Sequence, residues 1–269
     1  MSSALDTHDV VNQSPPFAGR NLFTSDPGLG AIVESLPQQL QEELVAHGAA
    51  WGAAETFELG RLANQSAPVL KTHDPTGVRI DAVDFHPAYH ALMRRSVAAG
   101  LHCSSWEASG LEDGVRSVAR AARLFMTAQV ENGHVCPMTM TNAAIATLAH
   151  APALANQWLP VVRSRRYDPS QKPVAEKSGA TLGIGISEKQ AGSDFNAATT
   201  HAEDARDGNW RITGHKWFVS APMSDAFLVL ARNVQGLSCF LVPRLLPDGR
   251  RNGVRLVRLK DKLGNRSNA

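Results

Sequence analysis

Cysteine is scarce in this sequence, charge is balanced, and no long apolar run occurs. Each lack closes off a class of protein. Cys103, Cys136 and Cys239 are the only cysteines in 269 residues, and they lie far apart. An odd, scattered set without a Cys-x-x-Cys pair argues against a zinc ribbon or a disulfide framework and fits a reducing, cytoplasmic compartment. No apolar stretch approaches the ~20 residues that a membrane helix needs. The first 13 residues are polar, with Asp6, His8 and Asp9, and lack the basic start and apolar core of a signal peptide. Lys+Arg number 27 and Asp+Glu 25, so the net charge of +2 does not by itself point to nucleic acid. Internal repeats, a phosphate-binding P-loop and a Ser–His–Asp set are also missing. Gly183-x-Gly185 lacks the third glycine of a dinucleotide fingerprint, position 188 being Glu, and no βαβ alternation surrounds it.

What is present suffices for a packed core, with 43% hydrophobic and 19% charged residues. The chain changes character across the polar segment 168–179, which carries Pro169, Pro173 and Gly179 and reads as a boundary or surface loop. Before it, Ala, Leu and Arg recur at helical spacing. Helices are expected over 28–47, 50–64, 86–99, 113–132, 137–149 and 152–159, with 72–84 as a turn-rich connector. On the helix over 113–132, Val115, Val118, Ala119, Ala122, Phe125, Met126 and Val130 form one apolar stripe. Pro87 and Pro152 suit first helical positions, and Pro160 is expected to end or kink the last helix.

After the boundary the period becomes that of strands. They are expected over 181–186, 197–203, 209–213, 215–220, 226–232, 236–243 and 254–260. Turns at Asp207-Gly208, 233–236 and Pro247-Asp248-Gly249 separate them. The fold class is therefore α+β, an all-helical domain over 1–175 followed by an antiparallel, barrel-like β-domain over 176–269. Between Arg244 and Arg266 eight basic residues face two acidic ones. That run reads as a solvated strand face, a surface for a missing partner, or a polyanion site.

Two segments carry candidate chemistry. The first is the loop Ser187-Glu188-Lys189-Gln190-Ala191-Gly192-Ser193-Asp194, entered through Ile184, Gly185 and Ile186. Its hydroxyls and amides suit the polar rim of a flavin or a pyrophosphate, and Gly192 permits close backbone approach. An ordinary polar turn between strands is the competing reading. The second is Lys216-Trp217-Phe218-Val219-Ser220. On a strand, Phe218 and Ser220 share a face, so one would pack beside a ring and the other donate to it. A plain core strand is the alternative. His86 and His90 stand four apart on an expected helix, a spacing that suits a metal. No third ligand accompanies them, packing explains them better, and no metal site is assigned.

Together, Ser-Glu-x-x-x-Gly-Ser-Asp and Gly-x-Lys-x-Phe-x-Ser resemble the flavin-binding middle domain of acyl-CoA dehydrogenases. The stretches Glu58-Leu-Gly-Arg-Leu-Ala-Asn64, Phe85-His-Pro-Ala88, Cys136-Pro-Met-Thr-Met-Thr141, Gly236-Leu-Ser-Cys-Phe240 and Arg258-Leu-Lys-Asp-Lys-Leu-Gly-Asn-Arg-Ser-Asn-Ala269 extend the resemblance to the adaptive-response, AidB-type branch. Lys189 after Ser-Glu, where the wider family usually has Pro, and Phe218 in place of the usual Trp also suit that branch. The resemblance implies FAD, contacts at 184–193 and at Phe218, Val219 and Ser220, and Thr139 and Thr141 facing the isoalloxazine. It implies an acyl-CoA substrate, a homotetramer, and a C-terminal helical bundle beyond residue 269 carrying the glutamate base, so no catalytic residue is assigned within this chain. The branch's DNA binding in the alkylation-damage response is attributed to that same bundle. A truncated or fragmentary chain, inactive alone, is the expectation that follows.

Overall fold

The computed structural model describes residues 7, 9–108 and 110–269. The expectation about a leader segment falls largely on residues 1–6 and 8, outside the described residues. Among those described, the N-terminal half holds α1 (Pro27–Ile32), α2 (Gln38–Gly52), α3 (Ala54–Gln65), α4 (Pro87–Ala98), α5 (Asp113–Val130), α6 (Val135–Leu148) and α7 (Pro152–Val162). The single helix expected over 28–47 is two, because Pro37 sits between them and serves as the N-cap of α2. The next helix begins only after Ala53, which is extended at φ −60°, ψ 141°. Two glycines on α2 let the N-terminal segment lie against it. A Cβ on Gly52 would stand 1.6 Å from the Arg20 carbonyl, and one on Gly48 2.6 Å from Phe23 N. Asp26 caps α1 by accepting from Leu29 N at 2.9 Å, and His86 caps α4 by accepting from Ala88 N at 3.1 Å.

The connector expected over 72–84 contains a β-hairpin instead, β1 (Val69–His73) paired antiparallel with β2 (Arg79–Asp84), with a register shift between Lys71 and His73. The half is thus not wholly helical. Asp74 closes the turn through its side chain, accepting from Thr76 N at 2.8 Å and Val78 N at 2.9 Å. The stripe on α5 is only partly buried. Ala119, Ala122 and Met126 are inside, but Phe125 is 51% exposed. Arg123 turns inward instead, and its guanidinium meets Glu43 at 2.6 Å. Pro160 neither ends nor stops α7, which runs on to Val162.

The C-terminal half holds β3 (Leu182–Gly185), β4 (His201–Asp204), β5 (Trp210–Thr213), β6 (Ala226–Asn233) and β7 (Gly236–Pro243) in one sheet. The β6–β7 and β4–β5 pairs are antiparallel hairpins. β3 lies parallel to β6, Leu182 opposite Ala226, and β4 touches β6 in parallel at Arg232. The sheet is therefore mixed rather than purely antiparallel, and among the described residues it does not close into a barrel. The 40-residue excursion between β3 and β6 supplies the crossover that a parallel pair requires. Residues 215–220 and 254–260 are not strands. Residues 195–197 form a short 3₁₀ turn where a strand was expected to begin.

The two halves share a core. Ile145, Leu148, Trp158 and Val162 from α6 and α7 pack with Leu182, Ala226 and Leu228 of the sheet. Burying such side chains is worth roughly 1.5–3 kcal/mol each. Thr141 on α6 accepts from Leu182 N at 3.0 Å. The segment 168–179, read as a surface loop, is folded over a buried ion pair. Lys177 Nζ meets Asp225 at 2.8 Å and donates to the carbonyls of Asp168 and Ser170 at 2.7 and 2.6 Å. At the far end of the chain, Arg266 N donates to Asn64 at 2.8 Å and Ser267 Oγ to Glu131 at 2.7 Å. Among the described residues, no helix is long and apolar enough to cross a membrane.

Candidate functional site

The loop after β3 is organised by Glu188. Its buried carboxylate accepts from Lys216 Nζ at 2.8 Å, Thr199 N at 2.8 Å, Thr200 N at 3.1 Å and Gln190 Nε2 at 2.6 Å. Burial alone would raise its pKa. The Lys216 ammonium and the threonine donors outweigh that and hold it well below the usual carboxylate range. Glu188 N and Ala191 N also close the loop on each other's carbonyls, at 2.6 and 3.3 Å. Glu188, Gln190 and Ala191 thus shape the loop from within. Gly192 and Ser193 stand at its rim, with Ser193 exposed. The N–H groups of Gly192 and Ser193 donate to no acceptor among the described residues.

The second segment is a hook. Phe218 and Ala221 both adopt left-handed backbone, at φ +57° and +52°. A bulky residue there costs on the order of 1–3 kcal/mol and persists only where surrounding structure enforces it. Phe218 is nevertheless 63% exposed, so its ring gains little core burial for that strain. With φ positive at position 218, the alternation that would place Phe218 and Ser220 on one strand face does not apply. Ser220 Oγ accepts from Lys260 Nζ at 2.8 Å.

Loop and hook lie side by side. Trp217 N donates to Ser187 O at 2.8 Å, Lys189 N to His215 Nε2 at 3.2 Å, and Lys216 Nζ to Ile186 O at 3.2 Å. A Cβ on Gly185 would meet Val219 at 3.6 Å, and Lys189 Nζ sits 5.3 Å over the Trp217 ring. The result is a wall with an open aromatic ring, a serine hydroxyl and free amide donors. Ile184, half-buried on β3, packs into the core shared with α6 and α7. Thr139 is exposed on α6, while Thr141 is fully buried and bonded to Leu182. Two positions apart on a helix, they point about 200° away from each other.

Thr199, Thr200, His215, Lys216 and Lys260 hold this wall, although most of them carry no local signal of that role. Lys216 lies within a quoted motif, but its partner is 28 residues away, beyond any local spacing rule. The basic run is divided, half of it engaged with the interior and half at the surface. Arg244 is buried and donates to Met223 O and Asp81 O, Arg250 pairs with Asp248, and Lys262 donates to Asn268 O. Arg250, Arg255, Arg258 and Arg266 are exposed. His90 bonds Tyr167 OH at 2.8 Å, whereas His86 is a helix cap, so the pair does not converge.

A Ser–His–Glu chain does exist, where sequence showed none: Ser96 Oγ to His134 Nε2 at 2.8 Å, and His134 Nδ1 to Glu131 at 2.7 Å. All three are buried, and Trp51 stacks on the imidazole at 5.7 Å, so no substrate reaches the hydroxyl. A separate interdomain cavity of about 90 Å³ lies between Phe85, His90, Tyr167, Lys177, Met223 and Arg244. Met223 on its wall lies only three residues beyond Ser220 of the hook.

A helical half seated on a mixed sheet, with this loop and hook beyond β3, defines the N-terminal and middle portions of an acyl-CoA dehydrogenase fold. Residues 12–169 match the model of the adaptive response protein AidB N-terminal domain, and residues 183–269 match that of the acyl-CoA dehydrogenase middle domain. The chain belongs to the AidB-type branch of the acyl-CoA dehydrogenase family. It is 48% identical over 268 residues to AidB of Escherichia coli (strain K12), covering 98% of this chain and 49% of that protein. It is 31% identical to acyl-CoA dehydrogenase family member 11 of Caenorhabditis elegans, covering 91% of this chain and 41% of that one. The crystal structure of Caenorhabditis elegans ACDH-11 in complex with C11-CoA superposes with a TM-score of 0.81 at 27% identity, over 98% of this chain and 46% of that chain. The chain thus spans about half the length of these relatives.

Proposed function

We propose that this chain forms the FAD-binding wall of an oxidoreductase that acts on an acyl-CoA thioester. The observation that carries the reading is the strained hook, which holds Phe218 open to solvent beside a loop with unpaired amides. Bound there, FAD would supply the acceptor for a hydride from the substrate's acyl chain. The chain's own residues fit such a group. Phe218 would cover the ring against water, Ser220 would donate from the hook, and the rim amides of Gly192 and Ser193 would meet anionic or carbonyl oxygens. Thr139, on the exposed face of α6, lies in the element that would border the other side. Because Glu188 is committed to Lys216 and the threonine amides, we assign it to shaping the loop rather than to proton transfer.

The acyl-CoA substrate class rests on family membership and on the C11-CoA complex of the Caenorhabditis elegans relative. A boundary near residue 175 and a cytoplasmic setting for the three free cysteines belong to the same proposal, whereas a four-subunit assembly is proposed only for the full-length family. The test is FAD titration of the purified protein, followed by flavin fluorescence. Saturable binding that weakens in Phe218→Ala supports the reading. Wild-type protein that takes up no FAD at any accessible concentration removes it.

A further inference from the structure

The geometry points to Lys260 as a positioning residue that fixes the direction of the Ser220 hydroxyl, so that its single O–H is aimed outward at the acceptor atom of a bound flavin. This rests on the flavin reading above. A serine hydroxyl has one hydrogen and two lone pairs. The Lys260 ammonium only donates, so its 2.8 Å contact with Ser220 Oγ occupies a lone pair and leaves the O–H to seek an acceptor elsewhere. Ser220 Oγ has no other partner among the described residues. The backbone on either side is pinned, with Phe218 and Ala221 both left-handed, so the hydroxyl torsion is the main freedom left at this position.

Lys260 is well suited to this task. Its stem is half-buried, and burial pushes its pKa down from the ordinary lysine value, which marks a partly desolvated ammonium. A charge-assisted bond in such a setting is stronger than a neutral one and polarises the hydroxyl it reaches. Ser220 thereby becomes a better donor toward an atom that gains electron density on reduction. The neighbouring Lys262 does not compete, being bound to the Asn268 carbonyl. The segment carrying Lys260 runs as extended coil rather than strand, and this contact joins it to the hook 40 residues earlier.

The experiment compares wild type, Lys260→Met, Lys260→Arg, Ser220→Ala and the Ser220→Ala/Lys260→Met double variant. It measures FAD dissociation constants and the reduction potential of bound flavin by dye-coupled titration, with thermal melts as a fold control. Lys260→Met is expected to weaken FAD several-fold and to lower the preference for reduced flavin about tenfold, ~30 mV for a two-electron couple. Lys260→Arg is expected to restore most of both. In a Ser220→Ala background, Lys260→Met is expected to add little, because the group it orients is gone. Wild-type affinity and potential in Lys260→Met, or additive losses in the double variant, overturn the inference while leaving the flavin reading intact. Failure of the wild type to bind FAD overturns both.

Discussion

Thr141 Oγ1 on α6 accepts from Leu182 N on β3 at 3.0 Å, with both residues fully buried. The hydroxyl that the family pattern directs toward a flavin is here spent on the seam between the two halves. Thr141→Val would leave a buried N–H without a partner, at a cost of about 1–3 kcal/mol. Thr141→Ser should cost much less. Urea unfolding of the two variants measures the difference, and equal midpoints would contradict this role.

Lys177 and Asp225 form a second buried connection, at 2.8 Å, with Lys177 nearly inaccessible. Burial pushes Asp225 upward, and Lys177 is the main charge opposing this. Lys177→Met removes the compensation and is expected to destabilise by roughly 3–5 kcal/mol. Replacing both residues with apolar ones of similar size should recover much of that. Chemical denaturation of the single and double variants gives the comparison, and a Lys177→Met protein as stable as wild type would refute it.

At the candidate wall, Ser193→Ala and Ser220→Ala are each expected to cost one hydrogen bond's worth of FAD affinity, ~0.5–1.5 kcal/mol, without unfolding. Phe218→Gly should weaken FAD while stabilising the free protein, since glycine adopts φ +57° without strain. Opposite shifts in melting temperature and flavin affinity are the signature. A fall in both would show that Phe218 serves the fold alone.

Acid should unfold the protein in two stages. Burial, aided in His47 by the charge of Arg123, lowers His47 and His102 from 6.5 to about 4. The unfolded chain then binds more protons between those values, so stability falls as pH drops from 6.5 toward 4. Burial would raise Glu131, but His134 and Ser267 outweigh it and hold it at about 2 against an ordinary 4.5. Its contribution is full above 4.5 and is lost as pH falls toward 2. Glu131→Gln should flatten only the lower stage and His47→Gln only the upper, as read from urea midpoints across pH.

The sequence made the helical half legible where period and punctuation agreed. α4 begins at Pro87, and α5 runs from Asp113 to Val130. It misled where strand-like composition lacked a neighbour. Lys216-Trp217-Phe218-Val219-Ser220 has the aromatic and β-branched content of a strand, yet a positive φ at Phe218 breaks it. Residues 254–260 mix Val and Leu with basic residues as a strand can, but no ladder receives them. The β3–β6 parallel pair was invisible because its partners are separated by the whole β4–β5 excursion. At the wall, the loop and hook were readable as motifs. Their supports, Thr199, Thr200 and Lys260, were not, because each acts across 11 to 40 residues.

The bonds from Arg266 N to Asn64 and from Ser267 to Glu131 have a mechanical meaning. The chain leaves the helical half after α7, builds the sheet, and is fastened back onto α3 and the end of α5. The sheet is thus a handle riveted at both ends, with no room to slide: a Cβ on Gly133 would stand 2.0 Å from Ser267 Oγ. Paired domains joined by one strand of chain swing about it by default. Here a swing would have to shear both rivets at once. The loop and hook therefore keep a constant bearing relative to α6, and a ligand must come in across the open face rather than through a gap that widens for it.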